Sequence, residues 1–146
     1  MKAKELMTPG PACVTATDTV QRAAMLMEEH DCGCIPVVES TGSDRVIGVI
    51  TDRDIAVRGV GKGRNGDTMV RDLMTTDVAS CSPESDMNDV ARVMTDRQIR
   101  RVVIVDADGA CVGIVAQADL ARAADSRGEI TEREVARVVE RISEPA

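Results

Sequence analysis

A chain of 146 residues, 43% apolar and 29% charged, has the composition of one ordinary water-soluble globular unit. Its net charge of −7 and pI near 4.7 argue against non-specific nucleic-acid binding and against association with anionic membranes. No apolar run reaches the ~18 residues needed to span a bilayer and no apolar leader core opens the chain, so a cytoplasmic location is expected.

In chain order, ELMT at Glu5–Thr8 predicts a short helical turn and Ala12–Thr15 a brief strand. Asp18–Asp31 follows, with Val20, Ala23, Ala24 and Met27 at the spacing of an amphipathic helix, and Asp18 with Gln21 resembling a capping box at its start. Cys34–Val38 and Val46–Ile50 read as strands joined by a glycine-containing turn. The stretch GVITDRD, Gly48 to Asp54, then turns a buried strand into a helix, with Thr51 and Asp54 spaced as an acidic capping box. Such a junction aims backbone N–H groups beyond the strand end. Thr51 and Asp54 therefore either only start a helix or also hold a ligand.

The same string recurs. DLMT at Asp72–Thr75 repeats ELMT 67 positions on, Ser85–Gln98 repeats Asp18–Asp31, and Arg101–Asp106 repeats Cys34–Glu39. The offset falls to 65 at Gly48 and Gly113, because ESTGSD is longer than DADG and hairpin turns tolerate such changes. The second copy thus predicts a strand at Val78–Cys81 and a helix with Met87, Val90, Ala91 and Met94 inward. Strands at Val102–Val105 and Cys111–Val115 follow, then a helix opening at AQAD. Each copy reads β-α-β-β-α, which makes the fold α+β. A copy of ~60 residues would bury only about 60% of its surface alone, so one shared core across residues 1–146 is expected. Repeat 1 covers 4–62 and repeat 2 covers 70–125. Beyond them TEREVARVVERI has Thr131 and Glu134 as a capping box and Val135, Val138, Val139 and Ile142 on one face. That extra amphipathic helix, 130–143, must bury its stripe against the module or a second chain.

Five cysteines, an odd number without a compact framework, fit a reducing compartment. Cys32-Gly33-Cys34 with His30 falls short of the four ligands zinc takes, so small core side chains are the preferred reading and no metal is expected. His30 ends the first helix, where it suits the helix dipole, and the methionines at helical spacing read as core filler. Phe, Tyr and Trp are absent, so the core must come from Val, Ile, Leu, Met and Ala, and any bound base must stack on aliphatic side chains.

Two registered βαββα copies carrying LMT, the G-h-h-T-x-x-D junction and the PVV strand resemble a tandem pair of CBS domains, a Bateman module, over residues 4 to about 124. The resemblance implies two pseudo-symmetrically packed repeats, a homodimer formed through amphipathic helices, and adenosine nucleotides (AMP, ADP or ATP) held in clefts between the repeats. It implies a first cleft with Thr51 and Asp54 facing Ala79, Ile99 and Arg100. A second cleft pairs Asp119 and Arg101 with Ala12, Cys32 and Gly33. Asp54 can accept from both ribose hydroxyls, while Thr51 and the helix N-terminus can donate to phosphate. Ala116 stands where Thr51 stands and offers no hydroxyl, which weakens the second cleft. No activated nucleophile, acid/base pair or metal set is evident, so an enzyme is not expected, nor is a cofactor. Two functions stay open: a nucleotide-sensing module acting on an unknown regulated protein, and a ligand-free dimerisation module.

Overall fold

The computed structural model describes residues 1–127 and 132–143. The first repeat gives α1 (Ala3–Leu6), β1 (Thr8–Pro9), β2 (Val14–Thr15), α2 (Val20–Glu29), β3 (Cys34–Ser40) and β4 (Ser43–Thr51). A π-helical turn, Asp54–Gly59, runs into a 3₁₀ turn at Val60–Lys62. The second gives α3 (Val70–Leu73), β5 (Ser80–Cys81), α4 (Met87–Arg97), β6 (Arg101–Val105), β7 (Cys111–Ala116) and α5 (Gln117–Arg127), followed by α6 (Glu132–Ser143). The expected α+β architecture, with an added C-terminal helix, is what the chain adopts.

These elements form two compact units that do not follow the order of the repeats. One holds Pro11–Val78 with Asp108–Cys111; the other holds Met1–Gly10, Ala79–Ala107 and the chain from Val112 onward. Apolar side chains gather in a cluster in each. Each cluster can close because its unit includes the leading segment of the other repeat.

In the unit built on Pro11–Val78, a sheet of order β2-β3-β4 pairs Val14 with Val37 in parallel and Ile35 with Ile50 antiparallel. The Asp18 carboxylate accepts from Thr15 N at 2.8 Å and closes the preceding turn. The α2 cap is therefore Thr19, whose hydroxyl accepts from Arg22 N at 3.2 Å, and not Asp18 as the sequence pattern implied. The helix buries Val20, Ala23, Leu26 and Met27 and leaves Ala24 exposed. Leucine buries more apolar surface than alanine, so this rotation is the more stable one. The leading turn of repeat 2 completes the sheet: Thr75 exchanges bonds with Val49, N to O at 2.8 and 2.9 Å. It lies so close that a Cβ on Gly48 would come within 2.9 Å of Thr75 O and 3.1 Å of Met74 Sδ.

The other unit repeats this device. Its sheet order is β1-β7-β6-β5, with Thr8 opposite Ile114 and Pro9 opposite Gly113. Met7 lies over Gly113, where a Cβ would sit 2.7 Å from Met7 Cγ and 2.9 Å from its Cβ. The recurrence of LMT with a strand glycine thus has a steric cause: the leading turn of each copy packs on the glycine of the other. Helix α4 is capped by Asp86, which accepts from Asn88 N at 2.8 Å, and buries the predicted Met87, Val90, Ala91 and Met94. Helix α6 buries Ile142 and packs Val135 and Val138 on the same cluster as α4 and α5, so much of its stripe is covered by its own chain. Thr131, half of its predicted capping box, lies outside the described residues.

Helix α1 is held by Glu84, which receives Lys2 Nζ at 2.5 Å and Lys4 Nζ at 2.9 Å. The bond from Lys2, then that from Lys4, pulls the Glu84 carboxyl down to about 2. A depressed carboxyl adds stability above its ordinary value of 4.5 that is lost as pH falls through about 2. All three side chains are exposed, so the effect is small and salt-sensitive. Thermal melts between those two pH values should fall more steeply for the native chain than for Glu84→Gln in low salt, and alike in high salt. Parallel profiles at low salt would contradict the assignment.

Candidate ligand-binding site

At the end of β4, Thr51 and Asp54 form both halves of the predicted box. Asp54 N donates to Thr51 Oγ1 and Thr51 N donates to Asp54 Oδ2, each at 3.1 Å. The Thr75 hydroxyl reaches both Asp54 oxygens at 3.4 Å, and Arg58 Nε stands 4.0 Å from Oδ1 while its Nη1 donates to Leu73 O at 3.0 Å. Asp54 is only 9% exposed. A carboxylate offers about four acceptor positions, and a hydroxyl that accepts still has its own proton to donate. Starting the helix therefore leaves Asp54 with acceptor capacity and Thr51 with a donor, so the two roles open in the sequence are chemically compatible.

Thr75 and Arg58 escaped the sequence reading. Thr75 was visible only as part of the DLMT repeat. Arg58 stood four residues after Asp54, the spacing at which opposite charges meet on a helix.

In the same unit, Ala12 and Cys32 are half-buried against the apolar cluster and Cys34 is buried at the start of β3. Gly33 is pressed by Asp52: a Cβ there would fall 2.6 Å from Asp52 Oδ2. His30 is exposed at the end of α2. Among the described residues no group of three His, Cys, Asp or Glu side chains could hold a metal ion.

The corresponding junction in the other unit keeps the acid and changes its surroundings. Ala116 N donates to Asp119 Oδ2 at 2.7 Å, but Ala116 itself carries no hydroxyl, and the Arg122 guanidinium bonds Oδ1 directly. Asp119 is 8% exposed. Arg122, three residues on, is thus a competitor for the oxygen a ribose would use, and the sequence reading missed it. Arg100, exposed, and Arg101, half-buried, line one depression of about 290 Å³ with Ala116, Gln117 and Val139. The resemblance had distributed these arginines between two clefts. Gln117 N donates to Arg100 O at 2.9 Å, which fixes the arginine pair to the start of α5. Ile99 is half-buried against this unit's apolar cluster, and half-buried Ala79 precedes β5.

The CBS domain model matches twice, at residues 3–60 and 70–126. The CBS domain-containing protein YhcV of Bacillus subtilis (strain 168) is 44% identical over 118 residues, 81% of each chain. Hypoxic response protein 1 of Mycobacterium tuberculosis is 33% identical over 121 residues, 82% of each chain. A crystal structure of Hypoxic Response Protein I with two coordinated zinc ions superposes with a TM-score of 0.76 at 32% identity, covering 84% of this chain and 98% of that one. A crystal structure of CBSX2 in complex with AMP gives 0.75 at 26% identity, covering 88% and 98%. The chain belongs to the CBS domain family, with one copy of the domain in each of its two repeats.

Proposed function

We propose that this chain is a regulatory module that binds an adenosine nucleotide at the Thr51–Asp54 junction, without turnover, and thereby alters the activity of a partner protein. The observation that carries the reading is the nearly buried Asp54 carboxylate, held in place by Thr51 N and Thr75 Oγ1, with acceptor capacity to spare for ribose hydroxyls. The similarity to CBSX2, crystallised with AMP, supports the ligand class. Equilibrium dialysis against AMP, ADP, ATP and their guanosine counterparts tests it. Saturable retention of an adenosine nucleotide is the expected result; no retention of any nucleotide at millimolar concentration would overturn it.

The Asp119 junction is the weaker of the two. It lacks the hydroxyl donor, and Arg122 occupies one carboxylate oxygen. A hydrogen bond to a charged group contributes roughly 1.5–3 kcal/mol, so its absence should weaken affinity about tenfold or more. Ala116→Thr is expected to strengthen this site in a two-site titration; an unchanged weaker constant would count against phosphate contact there.

A second reading, dimerisation, is favoured by Met25 (59% exposed), Val57 (47%) and Val60 (71%) in α2 and the turns after β4. Two-fold homodimers are the commonest oligomers. Sedimentation at micromolar concentration should give twice the 15.6 kDa chain mass; the mass of a single chain would contradict it.

A further inference from the structure

The chain leaves one compact unit for the other between residues 10 and 11, and again between 111 and 112, and a cysteine stands close to each passage. The segments before and after these passages run side by side. Thr8 faces Ile114 and Pro9 faces Gly113 in antiparallel register, and Gly10 N donates to Val112 O at 3.3 Å. Gly10, with φ 56, ends this pairing, and Cys13 and Cys111 lie beyond it in one and the same compact unit. There the two thiols share a hydrogen bond, and Cys13 Sγ also lies 3.3 Å from Pro11 O. Both cysteines are half-buried, and neither is in a disulfide.

We propose that Cys13 and Cys111 form a reversible thiol–disulfide site, closed by a low-molecular-weight disulfide and reopened by a thiol. The Cys13 thiolate attacks one sulfur of the small disulfide, forms a mixed disulfide and releases one small thiolate. Cys111 then loses its proton and attacks the Cys13 sulfur, releasing the second small thiol. Two protein thiols are oxidised and one small disulfide is reduced to two thiols. The Cys111 bond holds Cys13 below the ordinary thiol range, although burial and Asp44 pull the other way, and so favours Cys13 as the attacking group. The remaining cysteines are poor competitors. Cys34 is buried, a bridge between Cys32 and Cys34 would be strained, and Cys81 belongs to the other unit, where burial raises its thiol.

The test treats the folded, reduced full-length chain with oxidised glutathione, blocks remaining thiols after denaturation, and measures intact mass and linked peptides. The expected product is lighter by two hydrogens, has three blocked thiols in place of five, and yields a Cys13 peptide joined to a Cys111 peptide that dithiothreitol separates. Cys111→Ser should stop at a glutathione adduct on Cys13. Five thiols remaining in the native chain, lasting glutathione adducts on both cysteines, or a bridge through any other pair would each overturn the proposal.

Discussion

Gly48→Ala is expected to destabilise the protein by about 1–3 kcal/mol, the usual cost of forcing an extra carbon into a packed site. The added Cβ would face a backbone oxygen, Thr75 O, at 2.9 Å. That oxygen cannot retreat cheaply, because Thr75 and Val49 are joined by bonds in both directions. Gly113→Ala meets a side chain instead: Met7 Cγ at 2.7 Å and Cβ at 2.9 Å. The two glycines should therefore respond differently to a second change. Met7→Ala should recover part of the loss in Gly113→Ala, since it removes Cγ and Sδ, whereas Met74→Ala should leave Gly48→Ala close to its single-mutant value. Urea unfolding of the single and double variants measures this as a coupling energy. A Gly48→Ala protein within about 0.5 kcal/mol of the native chain, the range of an ordinary surface change, would contradict the steric argument.

Asp54→Asn should separate the two roles of that residue. The asparagine amide oxygen can still accept from Thr51 N, which keeps that half of the capping box, so stability should change little. Ligand binding should change much more. Hydrogen bonds to a charged acceptor contribute roughly 1.5–3 kcal/mol against about 0.5–1.5 kcal/mol for neutral ones. Two ribose hydroxyls on one carboxylate would then lose about 2–3 kcal/mol together, a weakening of about thirtyfold to somewhat over a hundredfold. Asp54→Ala also removes the acceptor for Thr51 N and should cost about 0.5–1.5 kcal/mol in stability, measurable in the same unfolding series. Loss of stability in Asp54→Asn with unchanged nucleotide affinity would identify Asp54 as a helix cap alone.

What could be read from the sequence was what is local or repeated. The strands, the amphipathic helices and the Thr51–Asp54 box depend on residues two to four apart, and the offset between the copies fixed their correspondence. The rotation of α2 toward Leu26 and away from Ala24 depends on what it packs against, which a periodic pattern leaves open. Asp18 lost the capping role to Thr19 because a neighbouring turn competed for its carboxylate. The exchange of leading turns, Met7 onto Gly113 and Met74 onto Gly48, was illegible for another reason: a repeat says which segments are alike, not which ones pair. At the candidate site, Arg122 on Asp119 is a choice among rotamers of a long side chain, so spacing permitted the contact without requiring it. The π-helical turn after Asp54 likewise departs from the ordinary helix at the equivalent place in repeat 2. A Cβ on Gly59, where that turn ends, would come 3.0 Å from Leu73 Cδ1. This close tertiary approach lies outside any local pattern.

The most direct measurement is calorimetric titration of AMP into nucleotide-free protein, run side by side on the native chain, Asp54→Asn and Asp119→Asn. The native chain should give saturable heat with a stronger and a weaker phase, the stronger phase disappearing in Asp54→Asn and persisting in Asp119→Asn. No heat in the native chain, or a strong phase that survives Asp54→Asn and disappears in Asp119→Asn, would contradict nucleotide binding at the Thr51–Asp54 junction.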